Sequence, residues 1–276
     1  MKKYKSNTSA GFIFCTTILL YAISLQAADP HKTASANKTV KILTIGNSFA
    51  ENACLYLDSI TESVPDCEII ISKANIGGCS LEQHATLIQQ CKEDSTLKPY
   101  YNTFTLKEII EQDEYDYVTI QQVSHLSFKS ESFQPYADTL CNFIRRHAPG
   151  AKIIIHQTWA YSKTCHRFEE FGLSRVEMHQ GLVENYNNLA AHYNIGMLPS
   201  GNAFYASYEK NPEIYLWSWG DGFHANQNGC YLAGCVWFGT LFDVSPKEIK
   251  YVPGEIGPKT AKHLREVAAT EVKELN

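Results

Sequence analysis

The chain has 276 residues, with 24 Lys and Arg against 29 Asp and Glu and a formal net charge of −5. That acidic balance, with no stretch of basic residues interleaved with aromatics, argues against a nucleic-acid or anionic-membrane partner, since both demand clustered Lys and Arg. The length fits one sizeable domain with its own core, and no fixed-period repeat or long low-complexity tract divides it.

The first 28 residues read as a signal peptide. Lys2, Lys3 and Lys5 precede an apolar run from Gly11 to Leu25, and small residues follow at Ala27-Ala28. The run is short of the roughly 20 apolar residues a spanning helix needs, and Thr16, Thr17 and Ser24 dilute it. Cleavage there predicts an exported protein, periplasmic or secreted in a Gram-negative bacterium, with no stable membrane insertion. It removes three lysines and no acids, taking the net charge from −5 to about −8. Residues 29–38 are polar and read as a flexible lead-in to a single domain over residues 39–276. Eight cysteines remain, from Cys54 to Cys235. Their number permits full pairing in an exported compartment, although several sit in apolar segments where a buried free thiol is the ordinary outcome. No CxxC pair or Cys/His cluster suggests a metal, and no cofactor is expected.

The first predicted element is Val40-Lys41-Ile42-Leu43-Thr44-Ile45, an apolar, largely β-branched run suited to a strand covered on both faces. Gly46 permits a sharp turn and Asn47-Ser48 suits a helix start; taken alone, Ser48 reads as an N-cap. A helix is predicted over Asn52–Glu62 and a second strand over Cys67–Lys73. The glycine loop Ile76-Gly77-Gly78-Cys79-Ser80 then opens a helix over Leu81–Lys92, with backbone N–H groups exposed where positive partial charge accumulates. The loop matches neither GxGxxG nor GxxxxGK[ST], so it is not a nucleotide fingerprint. A short helix over Leu106–Gln112 leads to a third strand, Asp116–Gln121, which ends in Gln121-Gln122-Val123-Ser124-His125. The helix Tyr136–His147 is stopped by Pro149-Gly150, and a fourth strand, Lys152–Gln157, runs into Thr158-Trp159. Residues 162–174 read as an irregular excursion, Val176–His192 as a long helix and Gly196–Leu198 as a short fifth strand. An aromatic stretch with Tyr205, Tyr215, Trp217 and Trp219 precedes Asp221-Gly222-Phe223-His224, and two further helices follow.

Strands alternating with helices predict an α/β fold, a three-layer α/β/α sandwich with a mainly parallel, flavodoxin-like five-stranded sheet. In such sheets ligands bind beyond the carboxyl ends of the strands. Ser48, Gly78, Gln122 and Trp159 each follow a successive strand end. Serine acyl transfer needs a nucleophile, a base and oxyanion donors. Asp221 and His224, three apart on one loop, can place a carboxylate on imidazole Nδ1 and leave Nε2 for Ser48.

Together these residues resemble the SGNH hydrolase superfamily, the GDSL-like esterases and lipases. Gly46-Asn47-Ser48-Phe49 looks like its first block, with Asn where Asp is frequent. Gly77-Gly78-Cys79-Ser80 looks like the second and Asp221-Gly222-Phe223-His224 the last. The third block departs from the pattern, because Gln121-Gln122 stands where the superfamily has Asn. The Gly-Gly-Cys-Ser-Leu, Gln-Gln and Gln-Thr-Trp runs further resemble a Bacteroidota-type subgroup of unassigned function.

The resemblance implies a serine esterase with Ser48 as nucleophile, His224 as base and Asp221 orienting it. The oxyanion hole is expected from the N–H groups of Ser48 and Gly78 and the side-chain amide of Gln122, with Gln121 the alternative after a one-residue slip. The implied substrate is an ester, foremost an O-acetyl group on a carbohydrate, with His125, Trp159, Trp217 and Trp219 as candidate substrate contacts. An esterase or thioesterase of lipid or small-molecule esters, and an inactive glycan-binding protein on the same fold, are the competing readings.

Overall fold

A computed structural model describes residues 38–274; the signal peptide expected over 1–28 and the lead-in up to residue 37 lie outside the described residues. Lys38, placed above in the lead-in, is instead the first residue of strand β1 (Lys38–Gly46), its Nζ donating to the Phe242 carbonyl at 2.6 Å.

β1 pairs in parallel with β2 (Cys67–Asn75) on one side and β3 (Tyr117–Ile120) on the other; β3 pairs with β4 (Lys152–His156) and β4 with β5 (Gly196–Leu198). The order is β2-β1-β3-β4-β5, all parallel, the flavodoxin-like arrangement expected. The three central strands are the ones whose sequences are apolar without alternation, and Ile42, Leu43, Val118, Ile120 and Ile155 are all fully buried. β2 lies at an edge and is mostly half-buried, with Glu68 and Ile70 exposed and Ala74 buried.

Helices cover both faces. α1 (Ser48–Cys54) and α2 (Leu57–Glu62) follow β1, replacing the single helix expected over Asn52–Glu62. α3 (Leu81–Glu93) follows β2, and the short α4 (Leu106–Ile110) precedes β3. α5 (Tyr136–His147) joins β3 to β4. The five-residue α6 (Arg167–Phe171) and the long α7 (Arg175–Tyr193) join β4 to β5. α8 (Ser200–Lys210), α9 (Gln227–Phe242) and α10 (Pro258–Lys273) complete the chain. α9 is the hub of one face: it packs against α1, α2, α8 and α10, and is buried around almost its whole circumference. α3 and α5 pack together on the other face, where Gln134 and Asp138 bond Tyr193 at the end of α7.

The connection after β1 runs to one side and those after β2, β3 and β4 to the other. A crevice is therefore left at the β1/β3 switch point, beyond the carboxyl ends of the strands. Ser48 and the two glutamines lie at that point.

Candidate active site

The nucleophile turn forms because β1 must end sharply at Gly46. A Cβ at this position would stand 2.7 Å from Gln121 Oε1, so only glycine lets the two strand ends close together. The residue that caps α1 is Asn47, whose Oδ1 accepts from the Phe49 N–H at 3.0 Å. Ser48, read alone as the cap, is instead the first helical residue, and its hydroxyl is free for another partner.

That partner is His224. Its Nε2 lies 2.8 Å from Ser48 Oγ, 176 positions away in the chain, and its Nδ1 lies 2.7 Å from Asp221 Oδ2. The other oxygen of Asp221 accepts from the backbone N–H groups of Phe223 at 2.9 Å and His224 at 3.0 Å, which fixes the carboxylate on its own loop. Burial pushes the Asp221 carboxyl up, but the His224 bond and these two N–H groups outweigh it and hold the carboxyl below its usual range. An ionised Asp221 accepts a hydrogen bond from the Nδ1–H and so fixes that tautomer, leaving Nε2 free to accept from Ser48. The site lies near the surface: the His224 and Asp221 side chains are 34% and 29% exposed.

The loop carrying Asp221 and His224 is buttressed from several sides. The Ala225 N–H donates to Asn52 Oδ1 on α1 at 3.1 Å, a helix position that no sequence signal distinguished. Ser162 donates its N–H to the Gly222 carbonyl at 2.8 Å, and the Cys165 thiol to the Asp221 carbonyl at 3.3 Å. Residues 162–174 thus line this loop, and α6 forms within them.

Beneath the nucleophile, one chain of hydrogen bonds crosses four strand ends. His156 on β4 donates from Nδ1 to Gln121 Oε1 at 2.9 Å, Gln121 Nε2 donates to Asn47 Oδ1 at 2.8 Å, and Asn47 Nδ2 donates to the Cys79 carbonyl at 2.9 Å. His84 adds a second anchor, with Nε2 3.0 Å from the Gly46 carbonyl and Nδ1 2.8 Å from the Tyr100 hydroxyl. Burial lowers His84 to about 4 and His156 to about 3, so both are neutral. A carbonyl only accepts, so His84 carries its proton on Nε2 and takes the Tyr100 proton donor on Nδ1.

The two glutamines are therefore both committed. Gln122, expected to offer its amide to an oxyanion, gives its Nε2 to the Ser132 carbonyl at 2.7 Å and to Ser132 Oγ at 3.1 Å, while its Oε1 accepts from Leu81 and Val123. The correction is physical: the side chain is fully buried and serves as a cross-link between β3, α3 and the Ser132 turn. Gln121, the alternative, spends its amide on Asn47. The N–H groups of Ser48 and Gly78 make no hydrogen bond to any described residue, and Gly78 holds φ +67, the left-handed conformation that suits glycine.

Two expected substrate contacts are also corrected. Trp159 is 0% exposed, stacked between Phe49 at 4.4 Å and Phe204 at 4.2 Å, with its Nε1–H on the Phe223 carbonyl. Trp217 is 1% exposed and donates to the Ala160 carbonyl. Both are core residues: Trp159 follows the end of β4, Trp217 lies between α8 and α9, and both rings pack on Phe204. Trp219 is 83% exposed and stacked at 4.0 Å on Tyr215. His125 is half-buried on the loop after β3. The eight described cysteines are free thiols. Among the described residues no helix is long and apolar enough to cross a membrane, and no three His, Cys, Asp or Glu side chains gather to hold a metal ion.

Solved structures carry the same architecture. A DUF4886 family protein from Bacteroides uniformis superposes with a TM-score of 0.78 at 28% identity, over 86% of this chain and 95% of that one. A candidate SGNH hydrolase from Slackia heliotrinireducens gives 0.54 at 21%, over 72% and 97%. The acetyl xylan esterase AlAXEase gives 0.50 at 14%, over 72% and 98%. No curated protein matches. The fold is thus that of the SGNH hydrolases, as the sequence blocks implied. With residues 41–271 matching the domain of unknown function DUF4886, the chain belongs to the DUF4886 family.

Proposed function

We propose that the protein is an exported serine esterase that removes O-acetyl groups from carbohydrates. The observation that carries this reading is the relay from Ser48 Oγ through His224 to Asp221, at 2.8 and 2.7 Å.

In the proposed reaction Ser48 Oγ attacks the ester carbonyl while its proton passes to His224 Nε2. The oxyanion is met by the free N–H groups of Ser48 and Gly78, so two backbone donors replace the three-donor hole first expected. Collapse of the tetrahedral intermediate breaks the bond to the sugar oxygen, which takes the proton from His224 and leaves as the alcohol. Water then attacks the acetyl-Ser48 ester, giving its proton to His224, and acetate departs as Ser48 regains a proton. Asp221 stays ionised and stabilises the imidazolium formed in each half.

A carbohydrate substrate is favoured by the open setting of the triad, which admits a bulky polymer, and by Trp219. That indole lies flat on Tyr215, two residues before Asp221, with 83% of its surface free for a sugar face. His125, on the neighbouring strand-end loop, is a further candidate contact. The name of the acetyl xylan esterase with the same fold agrees with this reading.

The test is acetate release from acetylated glycans against hydrolysis of p-nitrophenyl acyl esters of rising chain length. Acetyl preference with glycan turnover, lost in Ser48→Ala and His224→Ala, is the expected result. Preference for long acyl chains would move the substrate to lipids. Glycan binding without turnover would indicate a binding protein.

A further inference from the structure

Beside the triad, the 162–174 segment contributes a charge that the ester chemistry does not use. The Arg167 guanidinium lies 4.4 Å from the centre of the Phe223 ring, and the Phe223 ring lies 4.5 Å from that of His224. A single phenyl ring thus separates an arginine from the catalytic imidazole. Arg167 is only half-buried, and neither it nor Lys129 forms an ion pair with a carboxylate among the described residues. Glu169 and Glu170 follow on the same short helix but stay exposed to solvent.

Lys129 approaches from the loop after β3. Its Nζ lies 5.7 Å from the Phe128 ring, which packs at 5.2 Å against Phe171 on α6. His125 occupies the same loop. Burial, then the charges of Arg167 and Lys129, hold it below its ordinary value. In a chain of net charge −5, two unpaired cations flanking the site run against the general balance.

We propose that Arg167, with Lys129 and His125, forms a subsite for the carboxylate of an acidic sugar in the glycan whose ester Ser48 cleaves. The proposal rests on the esterase reading above and narrows its substrate class to esters of uronic-acid-type glycans. The guanidinium fork matches a carboxylate in two parallel N–H···O bonds, which an ammonium cannot do. Its stacking on Phe223 holds the fork in place at little entropic cost and joins the subsite to the loop that bears His224. A sugar bound there is set against the nucleophile by contacts outside the reacting ester, the use of remote binding energy that raises turnover.

Binding is measured by calorimetry with the Ser48→Ala protein, which separates recognition from chemistry. Tetragalacturonate is expected to bind at least about tenfold more tightly than neutral xylotetraose, the scale of one charge-assisted contact. Arg167→Gln in that background abolishes the difference, Arg167→Lys keeps part of it, and rising salt weakens only the acidic ligand. Equal binding of the two ligands, or a preference that survives both Arg167→Gln and Lys129→Gln, overturns the subsite. Tighter binding of a sulfated tetrasaccharide of equal charge overturns its assignment to a carboxylate. Acetate release by the intact protein is followed separately. Hydrolysis without acid preference refutes the subsite alone, whereas acid-selective binding without hydrolysis of any acyl ester refutes the esterase reading and leaves the anion site standing.

Discussion

Gln121 donates its side-chain amide to Asn47 Oδ1 at 2.8 Å, and this bond couples the end of β3 to the turn that presents Ser48. Asn47 also accepts from Phe49 and donates to Cys79, so its orientation is determined from three sides. Gln121 in turn is held by His156. Replacing Gln121 with Leu leaves both Asn47 Oδ1 and His156 Nδ1 short of a partner in a buried setting, at a cost of about 1–3 kcal/mol. Urea unfolding of Gln121→Leu should show that loss. Turnover of p-nitrophenyl acetate should fall with little change in KM, since the damage is to the aim of Ser48 rather than to substrate contacts. A variant with full stability would remove the network from the account.

Gln122 gives a contrasting expectation. Its amide ties Ser132 and its carbonyl receives the Leu81 N–H at the start of α3. Gln122→Ala should therefore lower stability by about 1–3 kcal/mol. Its effect on turnover should be smaller than the roughly 100- to 1000-fold that loss of a true oxyanion donor produces. A 1000-fold loss of turnover in a fully stable Gln122→Ala protein would restore the amide to the oxyanion hole.

Gly78 is the place where such a donor effect is expected. Its φ of +67 costs a residue with a Cβ about 1–2 kcal/mol, although nothing lies within 4 Å of where that Cβ would go. Gly78→Ala should relieve that strain by turning the peptide and withdrawing the N–H. Turnover should fall about 100-fold with KM nearly constant, while the melting temperature changes little. Asp221→Asn should be harsher, on the order of 10⁴-fold in turnover, because an amide no longer enforces the Nδ1–H tautomer of His224. Steady-state kinetics of the two variants side by side would check this ranking.

The strand frame was readable because β1, β3 and β4 carry short, largely apolar and β-branched runs, as strands covered on both faces do. The Ser48 and Gly78 positions were readable because each sits just past a predicted strand, and Asp221–His224 because a carboxylate three residues before a histidine can reach its Nδ1. The sequence did not show which of two adjacent polar residues would cap α1, since Asn47 and Ser48 are both good caps; the choice of Asn47 is made by Cys79 and Gln121, distant in sequence. Nor could it show that both glutamines would be consumed by buried partners such as Ser132 and His156. α8 was missed because the aromatics of residues 202–219 look like site-lining groups, when Phe204 is a buried stacking partner of Trp159. Arg167 carried no signal at all, because its meaning comes from Phe223, 56 positions away in the chain.

The tryptophans separate core from surface in a single experiment. Trp159→Ala removes the ring between Phe49 and Phe204 and should cost about 3–5 kcal/mol, seen as loss of soluble protein or a large drop in denaturation midpoint. Trp219→Ala should leave stability within about 0.5 kcal/mol, as an 83% exposed side chain with one stacking partner contributes little to the fold. KM for an acetylated glycan should rise in Trp219→Ala, while p-nitrophenyl acetate kinetics follow the parent protein. Identical glycan kinetics in the variant would detach Trp219 from substrate binding.

The buried histidines impose an acid limit on the site. His84 is lowered by burial from 6.5 to about 4 and His156 from 6.5 to about 3, so in this range the unfolded chain binds protons that the folded one does not. Each group contributes stability that is fully present above the unfolded value of 6.5 and is lost as pH falls towards the folded value, with a slope of about 1.4 kcal/mol per pH unit per proton. The denaturation midpoint should therefore be flat from pH 8 to about pH 7 and decline steeply between about pH 6 and pH 4. His84→Gln, which can still donate to the Gly46 carbonyl, should lower stability at neutral pH yet flatten the acid decline by about one proton. Because Gly46 and Asn47 hold the nucleophile turn, turnover should fall with the fold in this window, and an acid decline unchanged in His84→Gln would show that other groups set it.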